Sequence, residues 1–191
     1  NHIAAGNVDR PVGSLIYTQM LNARGGIEAD VTVARLAWDE FYIVTGTGFA
    51  THDFDWIARN IPAGMNAQLV DVTSGFAVLS LMGPQARAIL QAVTRADVSN
   101  AAFPFGTAQT IAIAGCPVRA LRVTYVGELG WELHHPIEMQ RYLWDLLLKA
   151  GEKHGLKLVG ARAQNWLRQE KSYRAFGTEL VIGLGGGSSM A

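Results

Sequence analysis

The sequence predicts an α+β fold in which antiparallel sheets carry packed helices. Three observations point there. Apolar runs of strand length are joined by short glycine-bearing turns, and helical periods are inserted between those hairpins. The chain is also 49% hydrophobic and 17% charged, enough to build a core and too apolar for a disordered polymer. A doubly wound parallel sheet would instead alternate strand and helix throughout.

Ser14 to Asn22 reads as a strand ending in Asn22-Ala23-Arg24-Gly25-Gly26, where adjacent glycines suit the positive φ of a tight connection. The next strand, Ile27 to Leu36, alternates Val31, Val33 and Arg35 with Asp30, Thr32 and Ala34. Phe41 to Thr45 completes a meander. Thr51 is placed to cap a helix over His52 to Arg59, with Phe54, Ile57 and Ala58 at helical spacing. Two strands follow, Ala67 to Val72 and Phe76 to Met82, hinged at Thr73-Ser74-Gly75. Gly83-Pro84 starts a helix whose stripe is Ala88, Ile89, Ala92 and Val93, because proline loses no hydrogen bond in a first helical turn. A hairpin of Ala108 to Ala114 and Val118 to Val126 turns at Gly115-Cys116-Pro117, and Trp131 to His134 is a further strand. Pro136 opens the clearest helix, in which Met139, Leu143, Leu146, Leu147 and Ala150 share a face before Gly151 and Gly155 end it. A last helix, Ala161 to Lys171, has Trp166 and Leu167 as apolar anchors, and the Gly/Ser-rich residues 181–191 read as a flexible tail.

Charge narrows the function classes. Sixteen Lys+Arg balance sixteen Asp+Glu, so no net basic field exists to collect nucleic acid or an anionic membrane. Cys116 is the single cysteine, which excludes an internal disulfide and a CxxC motif and fits a reducing compartment; in a turn between apolar strands it reads as a small hydrophobe. No apolar run reaches the roughly 18 residues of a bilayer span. Asn1 to Gly6 lacks the basic and apolar regions of a signal peptide, and the missing initial Met leads us to expect a piece of a longer chain. Gly46-Thr47-Gly48 begins like a dinucleotide loop, but Thr51 occupies the third glycine position and the preceding strands are antiparallel. His134 and His135 point to opposite faces of a strand, so no shared metal is expected.

Four segments, taken in order, carry more specific information. They are the stretch from Tyr17-Thr18-Gln19-Met20-Leu21-Asn22 to Ala29-Asp30, Leu81-Met82-Gly83-Pro84-Gln85-Ala86, Tyr125-Val126-Gly127-Glu128-Leu129-Gly130-Trp131-Glu132, and Leu167-Arg168-Gln169-Glu170 to Gly177. Over about residues 8 to 180 the chain resembles the glycine cleavage T-protein family, the folate-dependent aminomethyltransferases. Asp9-Arg10-Pro11-Val12-Gly13 and Glu170-Lys171-Ser172-Tyr173-Arg174 read more like the folate domain of dimethylglycine and sarcosine dehydrogenases or oxidases. The resemblance implies the T-protein folate-binding fold: a partial folate-binding half over 1–66, a ferredoxin-like α/β half over 67–180, and the tail.

It also implies a function. A flavin domain or subunit of the parent protein, which holds the FAD, oxidises a methylated amine, and this domain passes the amine-derived one-carbon unit to tetrahydrofolate. Glu132 matches the family's pterin-binding glutamate, and a carboxylate accepts the pterin's ring N–H and amino group in a two-point arrangement. Tyr125 is placed against the pterin. Asp30 matches the proposed catalytic aspartate, which would take a proton from the attacking amine and stabilise developing positive charge; Tyr17 maps to a tyrosine beside it. From strand position alone Asp30 is an ordinary surface aspartate. Glu128 is either solvated or a support for the loop that holds Glu132, and Arg168 is either a buried charge partner or a folate contact. Where the aminomethyltransferases place a folate-contacting arginine, six residues before Glu170, this chain has Gln164, which either favours the dehydrogenase-linked subgroup or weakens folate binding. The rival readings are the aminomethyltransferase of glycine cleavage, a folate-binding paralogue without turnover, and an inert fragment. The expected setting is a bacterial cytoplasm or a mitochondrial matrix, with self-association through exposed strand edges.

Overall fold

The computed structural model describes residues 2–180, so the Gly/Ser-rich stretch 181–191 lies outside the described residues. The described residues divide into two units, one made of those up to Asp71 together with 174–180, the other of Val72–Tyr173. Both are built on antiparallel sheets, so the fold is α+β as the sequence predicts.

In the first unit, β1 (Leu15–Leu21), β2 (Ile27–Arg35) and β3 (Phe41–Val44) form a three-stranded meander. Opposite partners share a face, and Met20↔Ala29, Thr18↔Val31 and Ile16↔Val33 point to the core. That face packs on α1 (Ala50–Arg59) through Trp56 and Ile57. A 3₁₀ turn, Thr47–Phe49, leads into α1, so Thr51 sits inside the helix and no side chain caps it. The buried stripe also differs from the predicted one: Asp53 is 2% exposed while Phe54 is 39% exposed. A buried carboxylate is tolerated because Thr45 Oγ1 donates to Asp53 Oδ2 and His52 Nδ1 lies 3.0 Å from Asp53 Oδ1. Further along, the Phe176 ring packs tilted against Phe49, with centroids 4.8 Å apart.

Ala67 to Val72 is not a strand. These residues pair with no strand among the described residues, and Val70 is 67% exposed, so the alternation finds no ladder to join.

The second unit is a four-stranded sheet in the order β4 (Phe76–Met82), β7 (Gly130–Pro136), β6 (Cys116–Leu121), β5 (Ala108–Ile113). One face carries α2 (Ala86–Gln91) and α3 (Gln140–Gly151), while α4 (Ala161–Glu170) follows in the chain. β6 and β7 are joined by a loop, and α3 comes after β7. Leu81, Ile111, Val118, Trp131 and Leu133 meet Ile89, Leu143 and Leu147 in one core, where Trp131 contacts Phe103 edge-on at 6.0 Å.

Local chemistry moves several boundaries. The β5–β6 turn is Ala114-Gly115, both at positive φ, 47° and 87°, as a two-residue hairpin loop demands. Cys116 is therefore a strand residue opposite Ile113 and is 2% exposed. β6 stops at Leu121 rather than Val126, Pro136 closes β7, and a 3₁₀ turn separates it from α3. Trp166, read as an anchor of the last helix, is 70% exposed; Leu167 is the partly buried residue. No described helix is long and apolar enough to cross a membrane.

Two expectations follow. Leu133→Ala should lower the unfolding free energy of the second unit by about 2–5 kcal/mol, because methyl groups leave a closed core; a denaturant titration reads this directly, and a loss under about 1 kcal/mol contradicts the packing. Burial, and next the charge of Glu138, push the Cys116 thiol above its ordinary range. The folded chain then holds this proton where the unfolded chain has released it, so stability is full below the unfolded thiol's titration at about pH 8.5 and falls as pH rises through it. Thermal unfolding of Cys116→Ala from pH 7 to 10 should show a shallower decline than the parent.

Candidate functional site

Period two along β2 decides where its acidic residues go. With Ala29, Val31 and Val33 buried, Asp30 lies on the other face, half-buried and opposite Gln19. Gln19 Nε2 donates to Asp30 Oδ1 at 2.7 Å, which fixes the carboxylate while leaving its second oxygen without a hydrogen-bond partner among the described residues. Tyr17 is two residues from Gln19 on the same face, opposite Thr32, and is 61% exposed. The sheet therefore presents the two predicted residues, Asp30 and Tyr17, side by side with Gln19, which sequence reasoning missed. Strand pairing would have found it, once the turn length fixed the register.

The approach to Asp30 is irregular. Register slips between Met20 and Leu21, because Leu21 opposes Ile27 and Glu28 is the extra residue. Asn22 organises this bulge: its Oδ1 accepts from the backbone N–H of Arg24 and Gly26, and its Nδ2 donates to Glu28 Oε1 at 2.7 Å. Glu28 Oε2 is also 3.5 Å from His52 Nε2.

In the second unit the predicted residues cluster on the 122–129 loop and on β7. Trp131 and Leu133 are core residues, so Glu132 and His134 occupy the opposite face, with Ser80 and Leu121 flanking Glu132 on the neighbouring strands. Glu132 is half-buried, and Oε2 lies 3.4 Å from His134 Nε2, its one polar partner among the described residues. A carboxylate so placed keeps most of its acceptor capacity. His134 is 1% exposed, and the sequence signal for it was its i, i+2 spacing from Glu132. His135 turns the other way, to Leu133 O and Gln140 Oε1.

Tyr125 is half-buried on the loop, and Glu128 is exposed at its tip. Glu128 lines two clefts, an apolar one of about 350 Å³ beside Leu81, Leu147 and Leu167, and an open one of about 500 Å³ beside Arg87, Arg122 and Tyr173. Gly127 shapes the tip, because it has φ of 74° and a Cβ there would crowd the Lys171 side chain. Arg168, 4% exposed, donates from Nε to Asn165 Oδ1 at 2.8 Å and from Nη1 to Tyr173 O at 2.7 Å, tying the end of α4 to the turn that follows. Among the described residues no group of three or more His, Cys, Asp or Glu is arranged to hold a metal ion.

Comparison with known proteins places the chain in a family. The model of the GCVT N-terminal domain family matches residues 1–182. Human mitochondrial sarcosine dehydrogenase is 42% identical over 188 residues, covering 91% of this chain and 20% of that protein. Human mitochondrial dimethylglycine dehydrogenase is 37% identical over 181 residues, covering 94% of this chain and 21% of that protein. The crystal structure of the glycine cleavage system aminomethyltransferase T from Bartonella henselae superposes with a TM-score of 0.77 at 28% identity, over 89% of this chain and 44% of that one. The chain thus spans about a fifth of the length of the two dehydrogenases.

Gly127→Ala should cost about 1–2 kcal/mol from the left-handed backbone alone, since the Lys171 stem is exposed and can move aside. Adding Lys171→Ala should recover little of that loss in thermal melts; full recovery would show that crowding, not φ, sets the requirement.

Proposed function

Because the chain belongs to the GCVT N-terminal domain family, we propose that it is the tetrahydrofolate-binding part of a one-carbon transferase. It would pass a carbon released from a methylated amine to tetrahydrofolate, within a longer protein of the sarcosine or dimethylglycine dehydrogenase type. The observation that carries this reading is the half-buried Glu132 carboxylate, whose one polar partner among the described residues is His134 at 3.4 Å. An acceptor held by a rigid strand, with capacity to spare, fits a ligand edge that offers two N–H donors.

Tetrahydrofolate, when bound, supplies the nitrogens that receive the carbon. This chain's residues do the rest. Glu132 binds and orients the pterin edge, with the Tyr125 ring as a wall beside it. Asp30, held by Gln19 with one oxygen open, takes a proton from the attacking amine and opposes the positive charge that develops. Tyr17, Glu128 and Arg168 are assigned here to the folate surroundings, Arg168 through the turn it anchors. Oxidation of the amine, and the FAD it needs, belong to a partner domain or subunit, which also chooses the amine. The two dehydrogenases are mitochondrial, which supports a mitochondrial matrix setting for a eukaryotic parent.

Asp30→Asn in the full-length protein should abolish methylenetetrahydrofolate production, by about 10²-fold or more for a lost general base, while flavin-dependent amine oxidation continues. Glu132→Gln should instead weaken tetrahydrofolate binding. Undiminished methylenetetrahydrofolate formation by Asp30→Asn overturns the assignment.

A further inference from the structure

The second unit holds a pair of cations that this function does not use. Arg87 Nη2 and Arg122 Nη2 both donate to one acceptor, Asn100 Oδ1, at 2.6 and 2.5 Å. Arg87 Nη1 also donates to Val98 O, and Arg122 Nη1 to Phe103 O. Both guanidinium groups lie against the same indole, with their central carbons 5.4 and 5.5 Å from the Trp131 ring centroid. All three polar side chains of this arrangement line, or lie behind, the open cleft of about 500 Å³.

What is missing is negative charge. Arg122 is 7% exposed, and among the described residues neither arginine forms an ion pair with a carboxylate within 4.0 Å. Asp97 is near enough to feel Arg87, but its carboxylate is engaged first by the Ser99 backbone and side chain. Glu128 lines the cleft at its exposed rim, unbonded to either arginine. The donors also outnumber the acceptors: Arg122 Nε and Trp131 Nε1 are both buried without a hydrogen-bond partner. A guanidinium offers five N–H donors, and each of these two uses two. Two like charges drawn onto one neutral amide oxygen repel each other, and burying such a charge unpaired is costly unless something compensates it. In keeping with this, burial and the neighbouring Arg87 hold the Arg122 guanidinium below its ordinary range.

We propose that the cleft formed by Arg87, Asn100 and Arg122 is a binding site for an oxyanion, a carboxylate or phosphate group that completes the charge balance of the arginine pair. Arginine forks suit such groups because two parallel N–H donors match two oxygens. The cleft is open, so the group arrives on a larger ligand or as a free ion, and the side of the cleft made by Thr124, Gly127 and Tyr173 would face the remainder of that ligand. The site stands on these residues alone and does not depend on the folate reading.

Calorimetric titration of the full 191-residue chain with glutarate and, separately, with inorganic phosphate tests this. Saturable binding of at least one is expected, and which of them binds tells a carboxylate-bearing from a phosphate-bearing ligand. Arg87→Gln and Arg122→Gln should each weaken that binding about tenfold or more, the loss of one charge-assisted fork. Arg87→Lys, which keeps the charge, should lose less than Arg87→Gln. Circular dichroism melts establish that each variant is folded, and because Arg87 is only half-buried its variants keep the test valid if Arg122→Gln does not fold. Absence of saturable binding by the parent chain, or equal affinity in the parent and the folded Arg87→Gln, overturns the proposal.

Discussion

The placement of the candidate carboxylates in each unit depends on the two-residue alternation of strands whose other face is buried. Trp131 and Leu133 are committed to the core of the second unit, at 0% and 1% exposure, so Glu132 and His134 have no choice of face. Ala29, Val31 and Val33 impose the same condition on Asp30. A one-residue slip in either strand would place a carboxylate in that unit's core and an apolar side chain on the opposite face, at a cost of several kcal/mol for an unpaired buried charge. Hydrophobic packing therefore fixes the position of the acidic groups more firmly than any contact they make themselves.

Polar groups that do go inside are handled in two ways. Asp53 is compensated locally, by the Thr45 hydroxyl and by His52, and the same histidine reaches the bulge residue Glu28. Arg168 is compensated by Asn165 and a backbone carbonyl, and in doing so defines the turn after α4. Arg122 is the contrast, with neutral acceptors, a cationic neighbour and an orphaned Nε. Natural interiors leave few such groups unsatisfied, and those that remain tend to mark sites where something else binds.

Much of this was legible in the sequence. The alternation Ala29-Asp30-Val31 and Trp131-Glu132-Leu133 identifies faces directly, and Asn22 followed by two glycines announces the β1–β2 turn. Less legible were features that need a partner. Ala67 to Val72 has a strand's pattern and no neighbour to pair with. Thr51 has a capping side chain but lies inside a helix that begins through a 3₁₀ turn. Gln19 and His134 have ordinary identities, and their relevance comes from a register that brings them to Asp30 and Glu132.

By itself the sequence determined the class of fold, the balance of charge, and the side of each strand on which its carboxylates lie, because these depend on composition and local period. Only the tertiary structure decided that Arg87 and Arg122, thirty-five residues apart, share one acceptor and one indole, and that Glu128 borders two clefts. Those are properties of long-range packing: no local pattern encodes which distant side chains a packed sheet and its loops will force together.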